Sequence, residues 1–172
     1  IYKSDKEYTD HEMYRGENGV WIQTLQGDLD GARYTFLVCI NLIWNEAVDP
    51  YAKSVTVNGK YGVIIDLEKT NVTKRGQLPL LQAMTDAILY ELHIRDATIH
   101  EGSGVSKKGT YKGLMEEGTK GQNGTLTGLS HIKDLGVTHV ELLPLYCFGG
   151  VDEANPSSAY NWGYNPLYYN AP

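Results

Sequence analysis

Gly128 to Leu145 reads GLSHIKDLGVTHVELLPL, and this stretch decides the architecture of the second half of the chain. Within Leu126 to Leu135 the apolar residues Leu129, Ile132 and Leu135 recur at helical spacing on one face, and Gly136 stands where a helix C-cap is expected. Val140 to Leu143 then reads as a strand. Upstream, Ala87 to Ile94 is an apolar run of strand length. Strand, helix, strand with buried strands is a βαβ unit, which requires parallel pairing and a right-handed crossover. Between the first strand and its helix lies Gly102 to Gly124, rich in Gly and Lys and too long and polar for a minimal connection. It is predicted to be a surface loop at the C-terminal end of that strand.

The first 70 residues have a different texture. Short β-rich runs, Val20 to Leu25, Tyr34 to Ile40, Ser54 to Val57 and Gly62 to Leu67, alternate with turn residues such as the GDLDG segment around Gly27 and Gly31. That spacing predicts a β-sandwich over residues 1–70. Asn58-Gly59 between two β-branched runs predicts a chain reversal, because both residues tolerate the positive φ of a type I′ turn. Residues 71–86, with Gly76 and Pro79, form a connecting segment, and residues 87–172 make the α/β part.

With 172 residues, 41% hydrophobic and 21% charged, the chain has ordinary globular composition. A net charge of -6 argues against a nucleic-acid partner, which needs clustered Lys and Arg. No run approaches the roughly 20 apolar residues of a membrane span. Cys39, in FLVCI, and Cys147, after LLPLY, are distant in sequence, so the expectation is two reduced, packed thiols, which fits a cytoplasmic protein slightly better than a secreted one. Asp66, Asp152 and Glu153 are oxygen donors at no recognisable metal-ligand spacing, so no cofactor is implied and a structural Ca²⁺ has no support.

The segment Tyr160 to Pro166, YNWGYNP, concentrates three aromatics and two amides. Taken in order, YELHIRD (Tyr90 to Asp96), GLSHIKDLGVTHVELLPL and YNWGYNP resemble the start of the catalytic barrel in type I pullulanases, members of glycoside hydrolase family 13, the α-amylase family. VDPYAKSVTVNGKYGVIIDL (Val48 to Leu67) resembles the end of the family 48 carbohydrate-binding sandwich that precedes that barrel. The resemblance implies a multidomain chain: the C-terminal part of an immunoglobulin-like sandwich, then the first βαβ portion of a TIM (β/α)₈ barrel. Such a barrel takes roughly 250 residues, so residues 87–172 alone would leave it incomplete.

It further implies a debranching hydrolase that cleaves α-1,6-glucosidic bonds in starch, glycogen or pullulan by a retaining mechanism. Its two carboxyl groups would stand about 5 to 5.5 Å apart. In the family these groups come from later barrel strands, so no catalytic residue is assigned in this chain and the chain alone is expected to be inactive. The expected partners are a branched α-glucan and the remainder of the same enzyme. Tyr164 matches the tyrosine that the family stacks beneath the sugar at the cleavage subsite. Burying about 100 Å² of a sugar's apolar face against its ring is worth roughly 2.5 kcal/mol. Asn161 and Asn165 would offer donors and acceptors to hydroxyls, and Trp162 would wall the pocket. Many family members carry Asp where this chain has Asn165 and Cys147, so fine specificity is open.

Other residues read more plainly as structural. His93, alternating with apolar residues, and His139 read as packed, hydrogen-bonded groups, and Asp49-Pro50-Tyr51 as a packed turn. Trp21, in the alternating VWIQTL, is expected in the core, while Trp44, Tyr160, Tyr168 and Tyr169 fit either packing or sugar contact. The rival functions are an isoamylase or branching enzyme of the same family, and a glucan-binding module without catalysis. The βαβ start argues against the last.

Overall fold

The computed structural model describes residues 1–71, 76–78 and 80–172, and the chain divides into two units: Ile1–Thr73 with Tyr146–Pro172, and Lys74–Leu145. Pro79, read as part of the connection, lies outside the described residues.

The first unit is β-rich. A ribbon of β1 (Tyr14–Arg15) and β2 (Trp21–Ile22) is followed by β3 (Arg33–Tyr34), β4 (Phe36–Ile40), β5 (Ile43–Ala47) and β6 (Gly62–Val63). All pairings are antiparallel and two-stranded: β1 with β2, β3 with β6, β4 with β5. The β4–β5 pair turns through Asn41 and Leu42, both at positive φ (51° and 65°), with Ile40 opposite Ile43. That is the two-residue hairpin geometry whose backbone twist matches the strands it joins. Asn58-Gly59 also reverses the chain at positive φ (60° and 65°), but through a 3₁₀ turn, Val57–Gly59. Gly59 N donates to Thr56 O at 2.8 Å, while Thr56 N donates to Tyr61 O and Val63 N to Ser54 O.

Two core expectations fail here. Trp21 is 59% exposed, because a bare two-stranded ribbon has no layer of its own to cover it. Cys39 is exposed, as is the rest of β4 beyond Phe36, and Trp44 opposite it is exposed as well. Among the described residues of this unit the buried side chains are few: Ala52, Tyr61, Cys147 and Ala171.

In the second unit, β7 (Leu89–Leu92), α1 (Tyr111–Leu114), α2 (Gly128–Asp134) and β8 (His139–Leu142) follow in chain order. β7 and β8 pair in parallel, Leu89 opposite His139 through Leu92 opposite Leu142, as the βαβ reading requires. The strands are not buried as expected: β8 is exposed throughout and only Leu92 of β7 is buried, because a two-stranded sheet leaves most of both faces uncovered. α2 ends where expected: Gly136 takes φ +71°, a left-handed position that a Cβ disfavours, and its N–H reaches Lys133 O. Ile132, on the predicted apolar face, is buried with Leu92 and Val105.

The Gly102 to Gly124 stretch is more than a surface loop. It contains α1, capped by the Thr110 hydroxyl accepting from Gly113 N, and it encloses buried Ser103, Val105 and Thr119. Its small hydroxylated residues explain why: they replace the missing backbone ladder with side-chain bonds that allow burial.

The chain then returns to the first unit. β9 (Cys147–Phe148) pairs antiparallel with β10 (Pro166–Tyr168), with a bulge in β10. Residues 146–172 thus share contacts with the first 73 residues, a boundary that differs from the sequence division at residue 87.

Candidate functional site

The hairpin of β9 and β10 holds the segment from Gly149 to Asn165, and with it the YNWGYNP motif. Its fixed point is one backbone oxygen. The carbonyl of Gly149 accepts from Asn161 Nδ2 at 3.0 Å and from Asn165 Nδ2 at 2.8 Å. Gly149 N in turn donates to Asn165 O at 3.2 Å. Asn161 Oδ1 accepts from Gly163 N at 2.7 Å, so this amide bridges both sides of the loop.

This geometry revises the expected division of labour. The Nδ2 groups of Asn161 and Asn165, expected to reach sugar hydroxyls, bond to the protein itself. At residue 165 the side chain works as a donor, which a carboxylate cannot do towards a carbonyl. The aromatics behave differently: Trp162 is 62% exposed and Tyr164 63%, with buried Gly163 between them. The motif therefore presents two aromatic side chains on a loop stiffened by its amides, an arrangement suited to a flat apolar face such as that of a pyranose. Tyr160 and Tyr169 are also exposed, whereas Tyr168 is half-buried and donates its hydroxyl proton to Gly59 O at 3.0 Å.

Beneath the loop, Cys147 is buried, and its thiol approaches Glu153 Oε1 at 3.6 Å. Burial first and the Glu153 charge second push its pKa up to about 11. It stays protonated at neutral pH, consistent with a packed, inert thiol.

The remaining residues are engaged elsewhere. His93 Nδ1 accepts from Asp96 N at 3.4 Å, and His139 Nδ1 pairs with the Thr138 hydroxyl at 2.8 Å. Asp49 accepts from Tyr34 OH at 2.7 Å and from Tyr51 N at 2.8 Å, making the predicted turn, although Tyr51 itself is largely exposed. Among the described residues no group of three or more His, Cys, Asp or Glu is arranged to hold a metal ion, and no helix is long and apolar enough to cross a membrane.

Sequence and structure comparisons agree on kinship. The chain is 50% identical over 161 residues to the pullulanase of Bacillus subtilis (strain 168), covering 94% of this chain and 22% of that protein. Its fold matches the crystal structure of pullulanase complexed with maltotetraose from Anoxybacillus sp. LM18-11 with a TM-score of 0.92 and 57% identity, covering 97% of this chain and 24% of that one. The chain is homologous to a segment of the pullulanases. A chloroplastic isoamylase 1 from Oryza sativa subsp. japonica is 34% identical, covering 93% of this chain and 21% of that protein. No protein-family model matches the chain. Its homologues are glycoside hydrolases of a starch-debranching family, and it spans less than a quarter of the length of these relatives.

Nothing in local sequence pattern pointed to Gly149 as the organiser of the motif, since a backbone carbonyl leaves no residue signature. The glycine pair Gly149-Gly150 was the available signal.

Proposed function

We propose that this chain is part of a pullulanase-type debranching hydrolase that cleaves α-1,6-glucosidic bonds with retention of configuration. Residues 1–70 act as an accessory β module of the immunoglobulin-like, family 48 kind, and residues 87–172 contribute the first βαβ portion of a (β/α)₈ barrel. The observation that carries the reading is the match to a pullulanase complexed with maltotetraose, at 57% identity across 97% of this chain. The parallel β7–β8 pair supports the barrel start.

On this reading Tyr164 is the sugar platform and Trp162 the wall beside it, while Asn161 and Asn165 hold the platform in place through Gly149. The nucleophile and the acid/base carboxylates come from another part of the enzyme, whose relatives are more than four times as long as this chain. Asp96 follows β7 and Glu141 lies inside β8, opposite Glu91, and neither is given a catalytic role. The glucan substrate and the remainder of the enzyme are the partners.

Incubating the full-length protein with pullulan and measuring maltotriose release tests the proposal. Release supports α-1,6 hydrolysis; intact pullulan together with cleavage of branched amylopectin would favour the isoamylase reading that the 34% identical rice relative keeps open. No cleavage of either, with retained glucan binding, would favour a binding module.

A further inference from the structure

The Asn58-Gly59 turn has no glucan-facing role in the reading above, yet side chains flanking both ends of the motif loop converge on it. On the N-terminal side, Asn58 and the Asp152-Glu153 pair bond reciprocally. Asn58 N donates to Glu153 Oε2 at 2.7 Å, Asn58 Nδ2 donates to Asp152 Oδ1 at 2.9 Å, and Glu153 N donates back to Asn58 Oδ1 at 2.8 Å. Ala154 N also donates to Asp152 Oδ1, fixing that carboxylate. On the C-terminal side, Tyr168 OH donates to Gly59 O at 3.0 Å. A Cβ at residue 59 would collide with the Tyr168 ring, and Gly59 sits at φ +65°, so the contact needs glycine twice over.

We propose that the Asn58-Gly59 turn is a positioning element for the glucan platform, a clasp that sets the loop carrying Trp162 and Tyr164 by gripping Asp152 and Glu153 on one side and Tyr168 on the other. The inference rests on the reading of Tyr164 as a sugar platform. Asn58 touches no substrate; it acts through the loop. A short loop with exposed aromatics has little buried surface to hold its shape, so its geometry depends on the few polar contacts at its ends. Three of those contacts use one asparagine, and two use carboxylates, which makes them stronger than neutral pairs.

The test is a charge swap in the full-length enzyme. Asn58→Asp keeps a residue that tolerates positive φ but sets a carboxylate against those of Asp152 and Glu153. Combining it with Asp152→Asn restores a donor and acceptor across the same gap. The expected result is faster amide hydrogen exchange over residues 149–165 in Asn58→Asp, a KM for pullulan raised on the order of tenfold with kcat little changed, and recovery of both in the double variant. Asp152→Ala, at an exposed position, removes the same bond and should loosen the same segment if Asn58→Asp does not fold. Unchanged exchange and KM in Asn58→Asp, or in Asp152→Ala in its place, would overturn the proposal. So would a double variant that stays impaired, since the effect would then not pass through Asp152. Hydrogen exchange needs no substrate, so loss of the platform reading, seen as full activity in Tyr164→Ala, remains distinguishable from loss of the clasp.

Discussion

Two glycine-rich loops of this chain meet opposite fates. Residues 102–124 fold inward: Ser103 Oγ donates to Thr98 O, Gly109 N donates to Thr98 Oγ1, and Thr127 Oγ1 donates to Ser103 O, with Val105 and Thr98 almost wholly buried. Residues 149–165 fold around a single carbonyl and turn their aromatics outward. The difference follows from side-chain type. Small hydroxylated residues satisfy buried backbone groups at short range, so the first loop can supply core. Indole and phenol rings beside asparagines cannot be packed in so thin a segment; the amides fix the backbone and the rings remain available. An exposed aromatic pair on a stiffened loop is a candidate for binding, and a buried hydroxyl network is a candidate for stability.

Substitutions can break this contrast, and the largest effect is expected in the inward loop. Gly104 sits at φ +69°, and a Cβ there would collide with the backbone carbonyl of Lys120. Gly104→Ala should cost roughly 3 kcal/mol or more of stability, read by denaturant unfolding of the full-length protein, and a loss below half a unit of that scale would mean that the loop yields easily. Next comes Tyr164→Ala in the outward loop. It should lower kcat/KM for pullulan by about seventyfold, equivalent to roughly 2.5 kcal/mol, with the melting temperature unmoved. Unchanged hydrolysis would remove Tyr164 from the site. Asn161→Ala should do less, because Gly149 O keeps Asn165 while Gly163 N loses the Asn161 Oδ1 acceptor. A loss of about 1 kcal/mol is expected, seen as faster exchange at Gly163, and an unaltered exchange rate would show that the second amide suffices.

Legibility in the sequence divided along the same line. The βαβ unit was readable because Leu129, Ile132 and Leu135 share a face and Gly136 ends the helix, both local signals. Side-chain hydroxyl networks are not periodic, so the order within 102–124 was missed. The two-residue hairpin of β4 and β5 was missed for another reason: it turns at Asn41-Leu42, where leucine adopts φ +65° and no glycine marks the place. Asn58-Gly59 did reverse the chain as read, but its use as a receptor for Asp152, Glu153 and Tyr168 spans 94 to 109 residues of sequence and has no pattern to reveal it. In the candidate site, Trp162 and Tyr164 stand exposed, while the amides of Asn161 and Asn165 bond to the protein. Residue type alone does not say which partner a side chain finds.

The smallest expected effect separates electrostatics from packing in the inward loop. Glu116 accepts from Ser106 Oγ at 2.6 Å, from Ser106 N at 2.8 Å and from Lys107 N at 2.8 Å. These bonds favour the charged form, the Ser106 hydroxyl first and the two backbone N–H groups after it, and hold its pKa below the ordinary glutamate value of 4.5. A carboxylate depressed in the folded state stabilises the fold above its unfolded pKa, and that contribution fades as pH falls through the lower folded value. Glu116→Gln keeps one acceptor oxygen and loses the charge, so it should lower the melting temperature slightly at neutral pH and converge with the parent enzyme in acid. Because the residue is only half-buried, solvent still reaches it and the difference should shrink further in high salt. A variant that is weaker by the same margin at every pH would place the role of Glu116 in geometry instead of charge, and would make the inward loop a packed element throughout.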